Sequence, residues 1–177
     1  MRKALFALLG ILGLASPAQA ALPIGAAAPD FTTVGALAGK PFKLNLKSQL
    51  RKGPVVLYFY PKAFTKGCTL EAHAFSEHMA DFKKAGAQVI GMSADNLDTL
   101  KKFSVEECRN AFPVATATRP IIRAYKVAMP VVNNVKAMTD RTSYVIGRDG
   151  KIAFVHSDLD WSEHVNKTLA AVRAMKR

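Results

Sequence analysis

Apolar and polar positions change period along the chain, and each change marks an element. The run VVLYFY at 55–60 is apolar at every position. A strand with that pattern is covered on both faces and belongs at the centre of a sheet. Lys52-Gly53-Pro54 precedes it as a punctuation mark. From Thr69 the period becomes helical, with Leu70, Phe75, Met79 and Phe82 near one face and Gly86 as the stop. QVIGMSA at 88–94 predicts a second strand, and Asp95 or Asn96 can cap a helix through Leu97, Leu100 and Phe103. A short strand near 112–115 and a helix near 120–125 follow. RTSYVIG and KIAFVH flank Arg148-Asp149-Gly150 as a hairpin. Asp160 then caps a closing helix whose inner face carries Trp161, Val165, Leu169, Val172 and Met175. Upstream of residue 54 the pattern is mixed, with a turn at Ala28-Pro29-Asp30 and short strands expected near 31–33 and 42–44.

The order strand–helix–strand, helical connection, hairpin–helix constrains the topology. A right-handed crossover for the first unit and an antiparallel addition for the second give a mixed central sheet flanked by helices. This is an α/β, thioredoxin-like arrangement. Cys68 falls just after the first core strand, where the next helix begins.

The N-terminus has its own pattern. MRKALFALLGILGLASPAQA has Arg2 and Lys3 at its front, an apolar stretch from Ala4 to Ala15 and a small-residue Ala18-Gln19-Ala20 site. That is the form of a secretory signal peptide, with an apolar run too short to cross a bilayer comfortably. The expected organisation is a signal at 1–20 and one domain at 21–177, exported to a compartment such as the bacterial periplasm, without stable membrane insertion. Residues 21–177 number 157, enough for a single core.

Charge adds little to this picture. The 177 residues carry 25 Lys plus Arg against 13 Asp plus Glu, a net of +12. Without Arg2 and Lys3 the balance is 23 against 13, or +10. The cations are scattered in ones and twos, with no basic stripe interleaved with aromatics, so nucleic-acid binding is not expected. The four histidines and two cysteines show no zinc spacing, so neither metal nor cofactor is expected.

The chemistry therefore narrows to Cys68 and Cys108, with no Cys-x-x-Cys present. At a helix N-terminus the unpaired N–H groups and the positive end of the dipole favour a thiolate. Gly67 lets the backbone approach closely, Thr65 places a hydroxyl nearby, and Pro61 shapes the loop leaving the strand. Arg141 begins a strand expected beside 55–60 and is the candidate cation.

PKAFTKGC at 61–68 has the Pro-x-x-x-Thr-x-x-Cys form and resembles the peroxidatic motif of peroxiredoxins. VVLYFYPK before it and CTLEA after it resemble the bacterioferritin-comigratory, or Q-type, branch. The resemblance extends over most of residues 21–177, through APDF at 28–31, VIGMSAD at 89–95 and RTSYVI at 141–146. Ala124-Tyr125-Lys126-Val127 is similar to the usual Ala-Tyr-Gly-Val, with Lys126 in place of glycine.

The resemblance implies a thiol-dependent peroxidase acting on hydrogen peroxide and small organic hydroperoxides. Cys68 would become a sulfenic acid, Thr65 and Arg141 would orient the peroxide, Pro61 would shield the site, and Glu71 would fix the arginine. Many members of this branch place a resolving cysteine five residues after the first, where this chain has His73. A histidine cannot form that disulfide, and His73 reads as a half-exposed helix residue. Cys108, near another known resolver location, is the candidate, and would require local unwinding of the Cys68 helix. Otherwise Cys108 is inert and an external thiol reduces Cys68. The implied partner is a thioredoxin-like or small-thiol reductant, and the implied assembly a monomer or homodimer. Two rival readings stand: an exported thiol–disulfide exchange protein, and a non-catalytic module of the same fold.

Overall fold

The computed structural model describes residues 21–129 and 138–175. The expected signal peptide at 1–20 lies outside the described residues. One seven-stranded mixed sheet, ordered β2-β1-β5-β4-β3-β6-β7, carries the fold. Its strands are β1 (Thr32–Leu37), β2 (Lys40–Asn45), β3 (Val55–Phe59), β4 (Gln88–Ser93), β5 (Val114–Thr116), β6 (Thr142–Ile146) and β7 (Ile152–Ser157). The helices are α1 (Leu46–Leu50), α2 (Lys66–Glu77), α3 (Met79–Lys84), α4 (Leu97–Glu106), α5 (Arg119–Ala124) and α6 (His164–Ala174).

The all-apolar run becomes β3, buried at every position. It pairs parallel to β4 and antiparallel to β6, with Phe59 opposite Thr142. Its alternation serves two cores. Val56, Tyr58 and Tyr60 face the layer of α2, α3, α4 and α6, packed with Phe75, Phe82, Phe103 and Leu169. Val55, Leu57 and Phe59 face the layer of α1 and α5, packed with Leu46, Leu50, Ile121 and Ile122. Gly91 on β4 has a specific reason to be glycine, because a Cβ there would lie 2.8 Å from the Tyr58 ring. That ring stacks on Phe75 with centroids 4.4 Å apart, so it cannot retreat without disrupting the core under α2.

Several elements depart from the pattern. The helix expected from Thr69 begins earlier, at Lys66, and breaks at His78 into α2 and α3. α1 was not expected; Asn45 caps it by accepting from the Ser48 N–H. Of the two candidate caps for α4, Asn96 takes the role by accepting from the Thr99 N–H at 2.9 Å. Asp160 accepts from the Ser162 N–H, capping a turn that precedes α6 rather than the helix itself. Met175 is 39% exposed, leaving Val165, Leu169 and Val172 as the buried inner face of α6. Lys126, the residue in place of glycine, has φ 55°, a left-handed conformation that costs an L-residue on the order of 1 kcal/mol.

Candidate active site

The site forms where β3 ends and α2 begins. The connecting loop is held from two sides. Asp95 accepts from the Ala63 N–H at 2.7 Å, and the Thr139 hydroxyl donates to the Tyr60 carbonyl at 2.6 Å. Between them Phe64 adopts φ 64°, with its ring edge-on to Phe103. A non-glycine residue in that region persists only when its surroundings enforce it, and here they aim the next residues at the sheet's end.

Thr65 is the N-cap residue of α2 by backbone conformation, but its hydroxyl donates to the Lys62 carbonyl rather than back to the helix. The first N–H groups of α2 consequently lack a side-chain cap, and Cys68 lies in this turn. Its residue is 1% exposed. Arg141 Nη2 lies 3.6 Å from the Cys68 sulfur. The guanidinium is fixed on its other edges: Nε donates to the Leu159 carbonyl at 2.9 Å, and Nη1 donates to Glu71 Oε2. Gly67 makes this approach possible, because a Cβ there would sit 3.2 Å from Arg141 Nη2 and 3.7 Å from Trp161 Cδ1.

The electrostatics follow from burial. Glu71 has no exposed surface. Burial pushes its carboxyl up, while the neighbouring Arg141 charge and hydrogen bond pull it back toward the ionised form. Burial works to lower the Arg141 value, but Glu71 and Cys68 more than offset it, so the guanidinium is held above its ordinary range. A permanently cationic group thus faces the sulfur in a largely dry site, where its field is strong. Pro61 lies beside the loop and lines a cleft of about 620 Å³ with Asp95, Thr116 and Ile122. Cys68, Thr65 and Arg141 do not line that cleft.

Cys108 follows α4, fully buried, and both cysteines are free thiols. Burial, with Glu107 adding to it, pushes the Cys108 thiol well above its ordinary value. Three contacts tie its turn to α2. His73 Nε2 pairs with Glu107 Oε2 at 2.7 Å, the Ser76 hydroxyl donates to the Cys108 carbonyl at 3.0 Å, and Arg109 Nη1 lies 3.2 Å from Glu77 Oε1. His73 is half-exposed as expected, yet it is also a fastening between α2 and the second cysteine. Sequence reasoning missed this contact because nothing in the spacing announces that residue 73 meets residue 107.

Sequence reasoning also missed His164 and Ser143. Both are fully buried, and His164 Nδ1 lies 2.8 Å from Ser143 Oγ and 3.8 Å from Glu71 Oε1. Among the described residues no cluster of three or more His, Cys, Asp or Glu could hold a metal ion, and no helix is long and apolar enough to cross a membrane.

A free thiol at a helix head faces a buried guanidinium at one end of a thioredoxin-like sheet, and with the family match of residues 24–155 the class is a thiol-dependent peroxidase. Residues 24–155 match the model of the AhpC/TSA family, and the chain belongs to that family. It is 33% identical over 112 residues to peroxiredoxin Bcp of Escherichia coli strain K12, covering 62% of this chain and 72% of that protein. It is 29% identical over 175 residues to the chloroplastic peroxiredoxin Q of Oryza sativa subsp. japonica, covering 90% of this chain and 77% of that one. The crystal structure of peroxidoxin BcpB from Mycobacterium tuberculosis superposes with TM-score 0.75 at 32% identity, over 87% of this chain and 98% of the other. The bacterioferritin comigratory protein of Xanthomonas campestris, a structure concerned with alkyl peroxide reduction, gives TM-score 0.71 at 26% identity, over 81% and 92%. The relatives support the peroxiredoxin Q branch.

Proposed function

We propose that this protein is an exported peroxidase that reduces hydrogen peroxide and small organic hydroperoxides through Cys68, with Cys108 as its resolving thiol. The observation that carries the reading is the Cys68 sulfur at the head of α2, 3.6 Å from a guanidinium pinned by Glu71 and Leu159. In the reaction the Cys68 thiolate attacks one peroxide oxygen and the O–O bond breaks. Sulfur is oxidised to the sulfenic acid, and the departing hydroxide or alkoxide takes a proton from water. Arg141, with the N–H groups of the first turn of α2, offsets the negative charge that develops on the leaving oxygen. Thr65 orients the peroxide and Pro61 shields the approach. The alkyl peroxide reduction named for the Xanthomonas relative favours organic substrates as well as hydrogen peroxide.

Regeneration follows by attack of the Cys108 sulfur on the sulfenic sulfur, with loss of water and formation of a disulfide. A thioredoxin-like protein or small thiol then supplies two electrons and restores both thiols. Both cysteines are buried, so the first turn of α2 and the turn around Cys108 must open for this step. The pattern at residues 1–20 supports export, with the periplasm as the compartment, and the protein acts as a monomer or homodimer.

Peroxide consumption by wild type, Cys68→Ser and Cys108→Ser, with a thioredoxin-like reductant, tests the reading. Turnover is expected to vanish in Cys68→Ser. Non-reducing peptide mapping after one equivalent of peroxide is expected to recover the Cys68–Cys108 peptide. Consumption by Cys68→Ser at the wild-type rate refutes the nucleophile, and full turnover by Cys108→Ser refutes the resolver.

A further inference from the structure

His164 is buried at the head of α6 beside the site. Its Nε2 lies 3.0 Å from the Asp158 carbonyl, which can only accept, so that nitrogen carries the proton. Nδ1 then keeps its lone pair and accepts from the Ser143 hydroxyl at 2.8 Å. Two opposed bonds fix the ring's plane and tautomer. Burial, with smaller contributions from His156 and Arg141, holds the ring's pKa down at about 4, against the pull of Asp158, and keeps it neutral.

The fixed ring faces Glu71. Among the described residues its Oε1 is buried without a hydrogen-bond partner, and His164 Nδ1 stands 3.8 Å away. The other oxygen holds Arg141 Nη1. One short segment braces both ends of the arrangement. Leu159 accepts from Arg141 Nε, Asp158 accepts from His164, and the Asp158 N–H donates to the Arg141 carbonyl at 3.1 Å. The groups facing His164 are Glu71 from α2, Arg141 and Ser143 at the start of β6, His156 from β7 with ring centroids 4.5 Å apart, and Asp158 from the connecting segment.

We infer that His164 is a positioning residue for the peroxidase step, oriented by Ser143, and that its ring is the backstop that keeps the Glu71 carboxylate on Arg141 and hence Arg141 on Cys68. A buried carboxylate with one unsatisfied oxygen turns toward any donor or space offered to it. The imidazole denies it both on that side. Removing the ring's anchors lets Glu71 rotate and draws the guanidinium away from the sulfur. This inference rests on the reading of Cys68 as the nucleophile.

The test separates alignment from simple thiol reactivity. Reaction with hydrogen peroxide needs a thiolate and an aligned guanidinium; alkylation by iodoacetamide needs only the thiolate. In a Cys108→Ser background, His164→Leu is expected to lower the single-turnover second-order rate constant of Cys68 with hydrogen peroxide at least tenfold while changing Cys68 alkylation less than threefold. Ser143→Ala, which removes only the anchor, is expected to shift the same ratio in the same direction. His164→Gln, which retains polar atoms, is expected to recover part of the loss. Peroxide rates within twofold of the parent in His164→Leu and Ser143→Ala overturn the inference, as does an equal fall of both reactions. If His164→Leu does not fold, Ser143→Ala decides by the same criterion. A Cys68 that alkylates but never reacts with peroxide in the parent background instead refutes the nucleophile reading.

Discussion

Replacing Gly67 by alanine sets helix stability against site geometry in a single methyl group. The added Cβ lands 3.2 Å from Arg141 Nη2, tighter than ordinary van der Waals contact by a few tenths of an ångström. The guanidinium cannot swing freely, because Leu159 and Glu71 hold its other two edges. The strain therefore falls on the 3.6 Å approach to Cys68. A misplacement of about 1 Å can cost on the order of a hundredfold in rate, so a shift of a few tenths is worth roughly threefold to tenfold. Position 67 is helical, and alanine there is better than glycine by up to about 1 kcal/mol. Gly67→Ala is accordingly expected to raise the melting temperature slightly while lowering kcat/KM for hydrogen peroxide. Rapid-mixing fluorescence of Trp161, the single tryptophan and a neighbour of Gly67, gives the rate, and thermal unfolding gives the stability. An unchanged rate in a folded variant refutes the idea that guanidinium placement limits the chemistry. A stability loss above about 1 kcal/mol shows that the contact is not absorbed as argued.

Other predictions follow from the same structure. His164, held down to about 4 mainly by burial, takes up protons less readily folded than unfolded. Its contribution is present above the unfolded value of about 6.5 and is lost as pH falls toward 4, by at most about 3 kcal/mol; the difference in melting temperature between wild type and His164→Leu should shrink over that interval. Lys126→Gly relieves the left-handed φ of 55° and is expected to add up to about 1 kcal/mol in urea unfolding without changing turnover. Asp95→Ala frees the Ala63 N–H at the loop before Cys68; a loss of about 1–2 kcal/mol and a slower peroxide step are expected, and an unchanged rate in the folded variant counts against a role for that loop's rigidity.

Local patterns made the frame legible. The unbroken apolar run of β3, the β6–β7 hairpin and the placement of Cys68 at a helix start each follow from neighbours in sequence. Arg141 was legible from the place of its strand beside 55–60, Glu71 only through motif resemblance, and their pairing is present in the structure. What stayed hidden depends on partners far along the chain. α1 is five residues long, too short to show a period. The break at His78 leaves α2 and α3 on the same apolar face, so the pattern reads straight through it. His73 and Glu107, like His164 and Ser143, carry no signal beyond being polar residues in amphipathic segments. Their roles arise from packing that brings 73 to 107 and 143 to 164.

The fastenings on α2 also set a leash. Glu71 is pinned to Arg141, and His73, Ser76 and Glu77 are pinned around Cys108, so only the first turn of the helix can uncoil without breaking one of them. Cys68 hangs three residues from the Glu71 anchor. Coiled, those residues span about 4.5 Å; drawn out, they span about 10 Å. That radius bounds the sweep of the Cys68 Cα while its arginine partner stays in place, and the oxidised sulfur reaches a side chain's length beyond it. Any thiol that is to meet it, from Cys108 or from another molecule, must come within that reach.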